Sequence, residues 1–185
     1  MPVGFLSDAE RERLDSFPTH VIPGDIETHF TLSRADRRQV PRTASPANRL
    51  GFALQLGALR FLGFCPDVLS TAPEAVVVFV ARQLDVAPGE LTRYGQRGQT
   101  RTEHLRQIRQ YLGFRKATAG DLARLESWLV DRAMEHDRPT LLLRLACEHL
   151  FSLRVERPGV THLERLIAAA RHERSRRPTD GWPRS

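Results

Sequence analysis

The chain has 185 residues, of which 41% are hydrophobic and 27% charged, with a formal net charge of +6. That length buries a core in one domain or in two small subdomains, and the charge suits a polyanion, because cations beside phosphates release condensed counterions. No run of about 18 apolar residues occurs, no signal peptide precedes the first helix, and the two cysteines, Cys65 and Cys147, have no metal-ligand spacing. A membrane span, a disulfide scaffold and a zinc module are therefore excluded, and the expected setting is a reducing bacterial cytoplasm with both thiols free.

Helix signals recur from the start of the chain. Ser7 with Glu10 makes a capping box before Arg11–Leu14, and Ser33 caps a short segment that runs through Val40 to Pro41. Ser45–Pro46 opens the most apolar segment, where Leu50, Ala53, Leu54, Gly57, Phe61 and Leu62 recur at helical spacing as far as Gly63. Thr71 precedes Ala72–Pro73–Glu74, and the run Val76–Val80 is read as helix because a start signal stands before it and Arg82–Gln83 continue it. Pro88 opens a short helix to about Tyr94, Gly95–Gln99 is a turn, and Thr100 with Glu103 forms a second capping box. The helix that follows turns Leu105, Ile108 and Leu112 inward and ends at Gly113. Three further helices are expected over Thr118–Glu135, Pro139–Leu153 and Val160–Arg174. The Pro-rich, charged end from residue 175 reads as a disordered tail.

The expected fold is thus all-α: a bundle-like DNA-binding region over residues 1–116 and a smaller helical subdomain over 117–174. Charge divides earlier in the chain, after Glu90. Up to Glu90, nine arginines face eleven Asp and Glu, so the positive excess lies in the second half. Lys116 is the only lysine, a bias that a GC-rich genome produces by itself, so only the clustering of arginines is informative.

The densest cationic stretch runs from Arg93 through Arg97, Arg101, Arg106, Arg109 and Arg115 to Lys116, against the single acid Glu103. Short helix, turn and longer helix form a helix-turn-helix-like arrangement, whose second helix would enter a major groove. Arg97, Arg101, Thr102, Arg106 and Arg109 are the candidates for base or phosphate contact, with Thr102, Arg106 and Arg109 near one helical face. A solvated basic face is the plainer reading of the same pattern. Arg49 and Arg60, on the apolar helix, either bond neighbouring carbonyls and carboxylates or meet phosphates, and Arg115 and Lys116 join them as phosphate candidates. Arg34, Arg37 and Arg38 read as a solvated face.

Nothing in the sequence assembles a catalytic centre or calls for a cofactor. The histidines are scattered, and no His-Glu-x-x-His, Gly-x-Ser-x-Gly or glycine-rich phosphate loop occurs. Glu135–His136–Asp137 point in different directions at a helix end and do not make a metal site.

Several strings resemble a known family. They are Pro2–Leu6, Phe30–Ser33, Asn48–Leu56 with Leu59–Gly63, Ala81–Leu84, Tyr94–Gly95 with Arg97, Thr100–His104 and Tyr111–Arg115. Fainter matches follow at Pro158–Gly159, Leu163–Arg165 and Ala168–Arg171. Together they resemble the N-terminal region of the TnpA transposases of Tn-three-type replicative transposons. The resemblance implies a helical region that binds the terminal inverted repeats in double-stranded DNA, with the acidic catalytic triad of an RNase H-like domain far downstream. After Arg171 the sequence departs from the family's pattern. The competing reading is a helical protein-interaction or dimerisation module of a transposase, for which a dimer would suit synapsis of two DNA ends.

Overall fold

The computed structural model describes residues 4–41, 43–95 and 98–176. Within them α-helices span Asp8–Leu14 (α1), Pro23–Phe30 (α2), Arg34–Gln39 (α3), Pro46–Leu62 (α4), Glu74–Leu84 (α5), Gly98–Leu112 (α6), Ala119–Glu135 (α7), Pro139–Ser152 (α8) and Val160–Arg176 (α9). Short 3-10 helices occupy Leu69–Thr71 and Pro88–Arg93. Strands Arg115–Lys116 (β1) and Val155–Glu156 (β2) pair in parallel, with Arg115 opposite Val155.

Side-chain caps set four of the helix starts. Ser7, Ser33 and Thr118 each close a reciprocal capping box, with Glu10, Asp36 and Asp121, and Ser45 caps α4 ahead of Pro46. Gly63 ends α4 in the left-handed region at φ 74°, where a side chain would be strained.

Four expectations need correction. Helix α2 is missing from the sequence reading. Thr71 closes a 3-10 turn, its hydroxyl donating to Val68 O at 2.7 Å, and it is Pro73, without a side-chain bond, that precedes α5. Helix α6 begins at Gly98, so Thr100 lies inside its first turn and the Thr100–Glu103 box does not form. Helix α9 continues to Arg176, past the Arg174 expected and into the segment read as tail, whereas residues 177–185 of that tail lie outside the described residues.

Helix α4 is buried on every side from Leu50 to Leu59, as a helix apolar all round must be. Around it α2, α5, α6 and the Pro88–Arg93 turn close one hydrophobic cluster, which includes Phe30, Phe52, Val76, Val80 and Ile108. Each such fully buried side chain contributes roughly 1.5–3 kcal/mol. A second cluster forms where α7, α8 and α9 pack together around Leu129, Leu142, Leu150, Leu163 and Ile167. Leu6 packs into this second cluster, so the start of the chain returns to α9. There its amide donates to Glu164 Oε1 at 2.9 Å, beside the Arg11–Glu164 ion pair.

The glycines of α4 admit aromatic rings. A Cβ at Gly57 would collide with the ring of Phe30, and one at Gly51 with the ring of Tyr94. Gly57→Ala is expected to lower stability by about 1–3 kcal/mol through overpacking, despite alanine's better helix propensity. Gly24→Ala on α2, where the new methyl meets open space, is expected to leave stability unchanged or raise it by up to ~1 kcal/mol. Denaturant unfolding of the two variants beside the parent checks this, and equal midpoints for Gly57→Ala and the parent would refute the packing account.

Candidate nucleic-acid interface

Helix α6 is amphipathic in the sense its sequence requires. His104 and Ile108 are buried, Leu105 and Leu112 are half-buried, and Gln99, Thr102, Glu103, Arg106 and Gln110 are exposed along the other side. A buried polar relay fixes the inner face. Tyr94 OH donates to Gln55 Oε1 at 2.9 Å and shares a second hydrogen bond, also of 2.9 Å, with His104 Nδ1. The His104 ring stacks on Tyr94 and meets Phe52 edge-on, with centroids at 5.7 and 5.2 Å.

The residues picked from the sequence divide by what their side chains already bond. Thr102 is exposed at the first turns of α6, its hydroxyl donating to Gly98 O at 3.2 Å. Arg106 is exposed on the same face and forks onto Glu103 at 2.9 and 2.6 Å. Such an exposed pair is worth little and exchanges readily for a phosphate. Arg101 is half-buried. It donates to Pro66 O at 3.0 Å and pairs with Asp67 at 3.2 Å, while its Nε is buried with no acceptor among the described residues. It lines a cleft of about 470 Å³ between the Asp67–Ser70 segment, Leu91–Gly95 and the start of α6. Arg109 does not share the outer face with Thr102 and Arg106. It turns to Glu156 of β2 at 2.6 Å with only 16% of its side chain exposed. Arg97 lies outside the described residues.

Arg49 and Arg60 serve the fold. Arg49 donates to Leu84 O at 2.8 Å, placing positive charge at the C-terminus of α5. Arg60 forks onto Asp36, which also accepts from Tyr111 OH at 2.8 Å. Burial of Asp36 acts to raise its pKa, but the bonds from Arg60, the Ser33 amide and Tyr111 outweigh it and hold the carboxyl at about 2.

Arg115 and Lys116 are exposed on β1. Arg115 forks onto Asp121, which Arg124 also reaches at 2.6 Å, and these bonds, led by that of Arg115, hold Asp121 well below the usual carboxylate range. Sequence reasoning missed two exposed cations that the fold brings here. One is Arg124, on the first turns of α7. The other is Arg154, which follows α8 and whose carbonyl accepts from Arg115 N at 3.0 Å. Arg154 was invisible because it comes from an element distant from the basic stretch, whereas Arg124 lies just past that stretch on a helix read as a separate subdomain.

No group of three or more metal-ligating side chains occurs among the described residues, and no helix among them is long and apolar enough to cross a membrane. Both cysteines are free and half-buried, with burial pushing each thiol's pKa up.

Two outcomes follow from these geometries. Arg60→Ala strands a buried carboxylate and is expected to destabilise the protein by about 3–5 kcal/mol, whereas Lys116→Ala should leave the unfolding midpoint unchanged; comparable losses in the two variants would contradict this division. Burial lowers the basicity of His104 below its ordinary 6.5. As pH falls, the unfolded chain takes the proton first, so this residue's contribution is complete above about 6.5 and is lost below it. An imidazole titration followed by NMR should place the ring below 6.5, and a value above it would show that the relay favours the charged form.

The sequence matches the domain of unknown function DUF4158 over residues 5–170. The transposase for transposon Tn501 of Pseudomonas aeruginosa is 33% identical over 172 residues, covering 93% of this chain. Those for transposon gamma-delta of Escherichia coli (strain K12) and for Tn21 of Escherichia coli are each 35% identical, covering 96% and 95% of it. The chain spans only 17–18% of the length of these relatives. On this similarity the chain belongs to the DUF4158 family, a domain it shares with transposases of the Tn-three family.

Proposed function

We propose that this chain is a DNA-recognition region of a bacterial replicative transposase, binding the terminal inverted repeats of its transposon. Strand-transfer chemistry is assigned to parts of the transposase that these residues do not span. One observation carries the reading. In a chain similar to transposases over nearly its whole length, Thr102 and Arg106 stand exposed on α6, and the chain runs directly from that helix into exposed Arg115 and Lys116.

The chemistry suits a duplex. Arginine forks match guanine edges and phosphate oxygens, and Arg106 is held by nothing stronger than an exposed intrahelical pair. We read the Pro88–Arg93 3-10 helix and α6 as the two members of a helix-turn-helix-like element. In this reading α6 is the member that enters the major groove, and Arg101 and Arg109 bear on binding by supporting it. The protein works in the cytoplasm, beside or within the nucleoid.

A second reading has its own observation. An apolar groove of about 800 Å³, with Leu6, Leu14, Leu62, Leu143 and Val160 in its walls, lies between α1 and α8, and it would suit a protein partner, either another part of a transposase or a second copy.

Salt separates the two. Binding of the purified chain to a duplex bearing the inverted repeat, against a scrambled duplex, is expected to favour the repeat and to fall steeply between about 50 and 200 mM salt. Arg106→Ala should reduce the preference by ~1–3 kcal/mol if the side chain reads a base. Absence of binding to either duplex at low salt would overturn the DNA reading and promote the protein-interaction reading.

A further inference from the structure

The connection between α8 and β2 contains an anomaly. Arg154 sits in the left-handed region at φ 54°, just past the end of a helix, where glycine is the ordinary occupant. A non-glycine residue held there is strained, and such strain concentrates where a side chain has a task. Its guanidinium lies over the rings of Phe114 and Phe151, with Cζ 5.3 and 6.0 Å from their centroids. Among the described residues no carboxylate pairs with Arg154, although the guanidinium is held on an aromatic platform.

Its surroundings are cationic. Arg154 O accepts from Arg115 N, and Lys116 stands opposite Glu156 in the β1–β2 pair. Arg115 and Arg124 share the single carboxylate of Asp121, and Arg109 takes that of Glu156. Five cations therefore meet two carboxylates here. The two carboxylates are nearly buried, with 5% and 13% of their side chains exposed, while Arg115, Lys116, Arg124 and Arg154 face solvent.

We propose that Arg154, with Lys116 and Arg115, forms a phosphate-binding site for the DNA backbone at the junction of the two hydrophobic clusters, beside α6. The inference rests on the DNA-binding reading above and adds a backbone contact from the far side of the chain. The guanidinium fork fits two phosphate oxygens, and the ring platform reduces the freedom it would lose on binding. Such a contact raises affinity for all sequences alike and carries no base preference.

The test compares Arg154→Asn and Lys116→Gln with the parent chain on the inverted-repeat and scrambled duplexes across a salt series, with the thermal midpoint of each variant recorded. Asparagine tolerates the left-handed backbone but carries no charge. Both variants are expected to bind both duplexes several-fold to about ten-fold more weakly at low salt, with the slope of log K against log salt reduced by about one. The ratio between the two duplexes should stay unchanged, and Arg154→Lys should restore most of the slope. Lys116→Gln alters an exposed side chain and keeps the test valid if Arg154→Asn unfolds. Parent-like affinity and slope in the folded variants would overturn the phosphate site while leaving the DNA reading standing. A change confined to the preference for the repeat would instead make these residues base readers. A parent chain that binds neither duplex would remove both the DNA reading and this site.

Discussion

The placement of α6 depends on a backbone too bare to repel a ring. Gly51 on α4 lets Tyr94 lie against the helix backbone, and from that seat the phenol reaches both Gln55 and His104. His104 is the inner-face anchor of α6, so the rotation of α6 about its axis follows from a glycine two α-helices earlier. If the ring were displaced, the imidazole would lose its partner in a buried site, where an unmet polar group is costly. Thr102 and Arg106 face outward because His104 and Ile108 face inward. Gly57 does the same for Phe30 and α2 on another side of α4.

Arginine in this chain has two uses, and the structure separates them. Several guanidiniums are consumed internally. Arg60 neutralises Asp36, Arg109 neutralises Glu156, Arg11 neutralises Glu164, and Arg157 holds Asp15 and Leu14 O while lying over Phe64. These pairs join elements distant in sequence, and Asp36, Glu156 and Glu164 are carboxylates that burial would otherwise make costly, whereas Asp15 is 43% exposed. A planar, permanently charged fork suits that work better than an ammonium does. Cationic composition therefore overstates the charge available to a partner, and the useful quantity is the set of cations left exposed after internal pairing.

The sequence was legible where its signals were local. Ser7, Ser33, Ser45 and Thr118 mark their helices because each cap bonds a residue three positions on. Helix α2 lacks such a cap, since Ile22 precedes it and only Pro23 marks its first turn. The Thr100–Glu103 pair misled because the Glu103 carboxylate has better partners in Arg106 and Gln107 one turn further on. The two-residue strands leave no period to detect. For the candidate interface, the basic stretch was visible as a run of residue types, but the internal engagement of Arg60 and Arg109 and the arrival of Arg154 are tertiary facts. Asp36 is 24 positions from Arg60, and Glu156 is 47 from Arg109.

The junction between the two clusters bears on how recognition would work. It is closed largely by directed polar contacts: the β1–β2 pair, the Arg109–Glu156 bridge, and the Arg157 amide donating to Gly63 O at 2.9 Å. Directed bonds fix an angle more strictly than apolar contact does, because a hydrogen bond weakens steeply as its geometry departs from linearity. Arg109 belongs to α6 and Glu156 to the strand following Arg154, so one bridge ties the helix with the outward-facing Arg106 to the turn with the outward-facing Arg154. A duplex touching both would meet surfaces whose relative orientation is already set. In such a complex Arg109, half-buried and bonded to Glu156, would act by holding other residues in place, without itself touching a base.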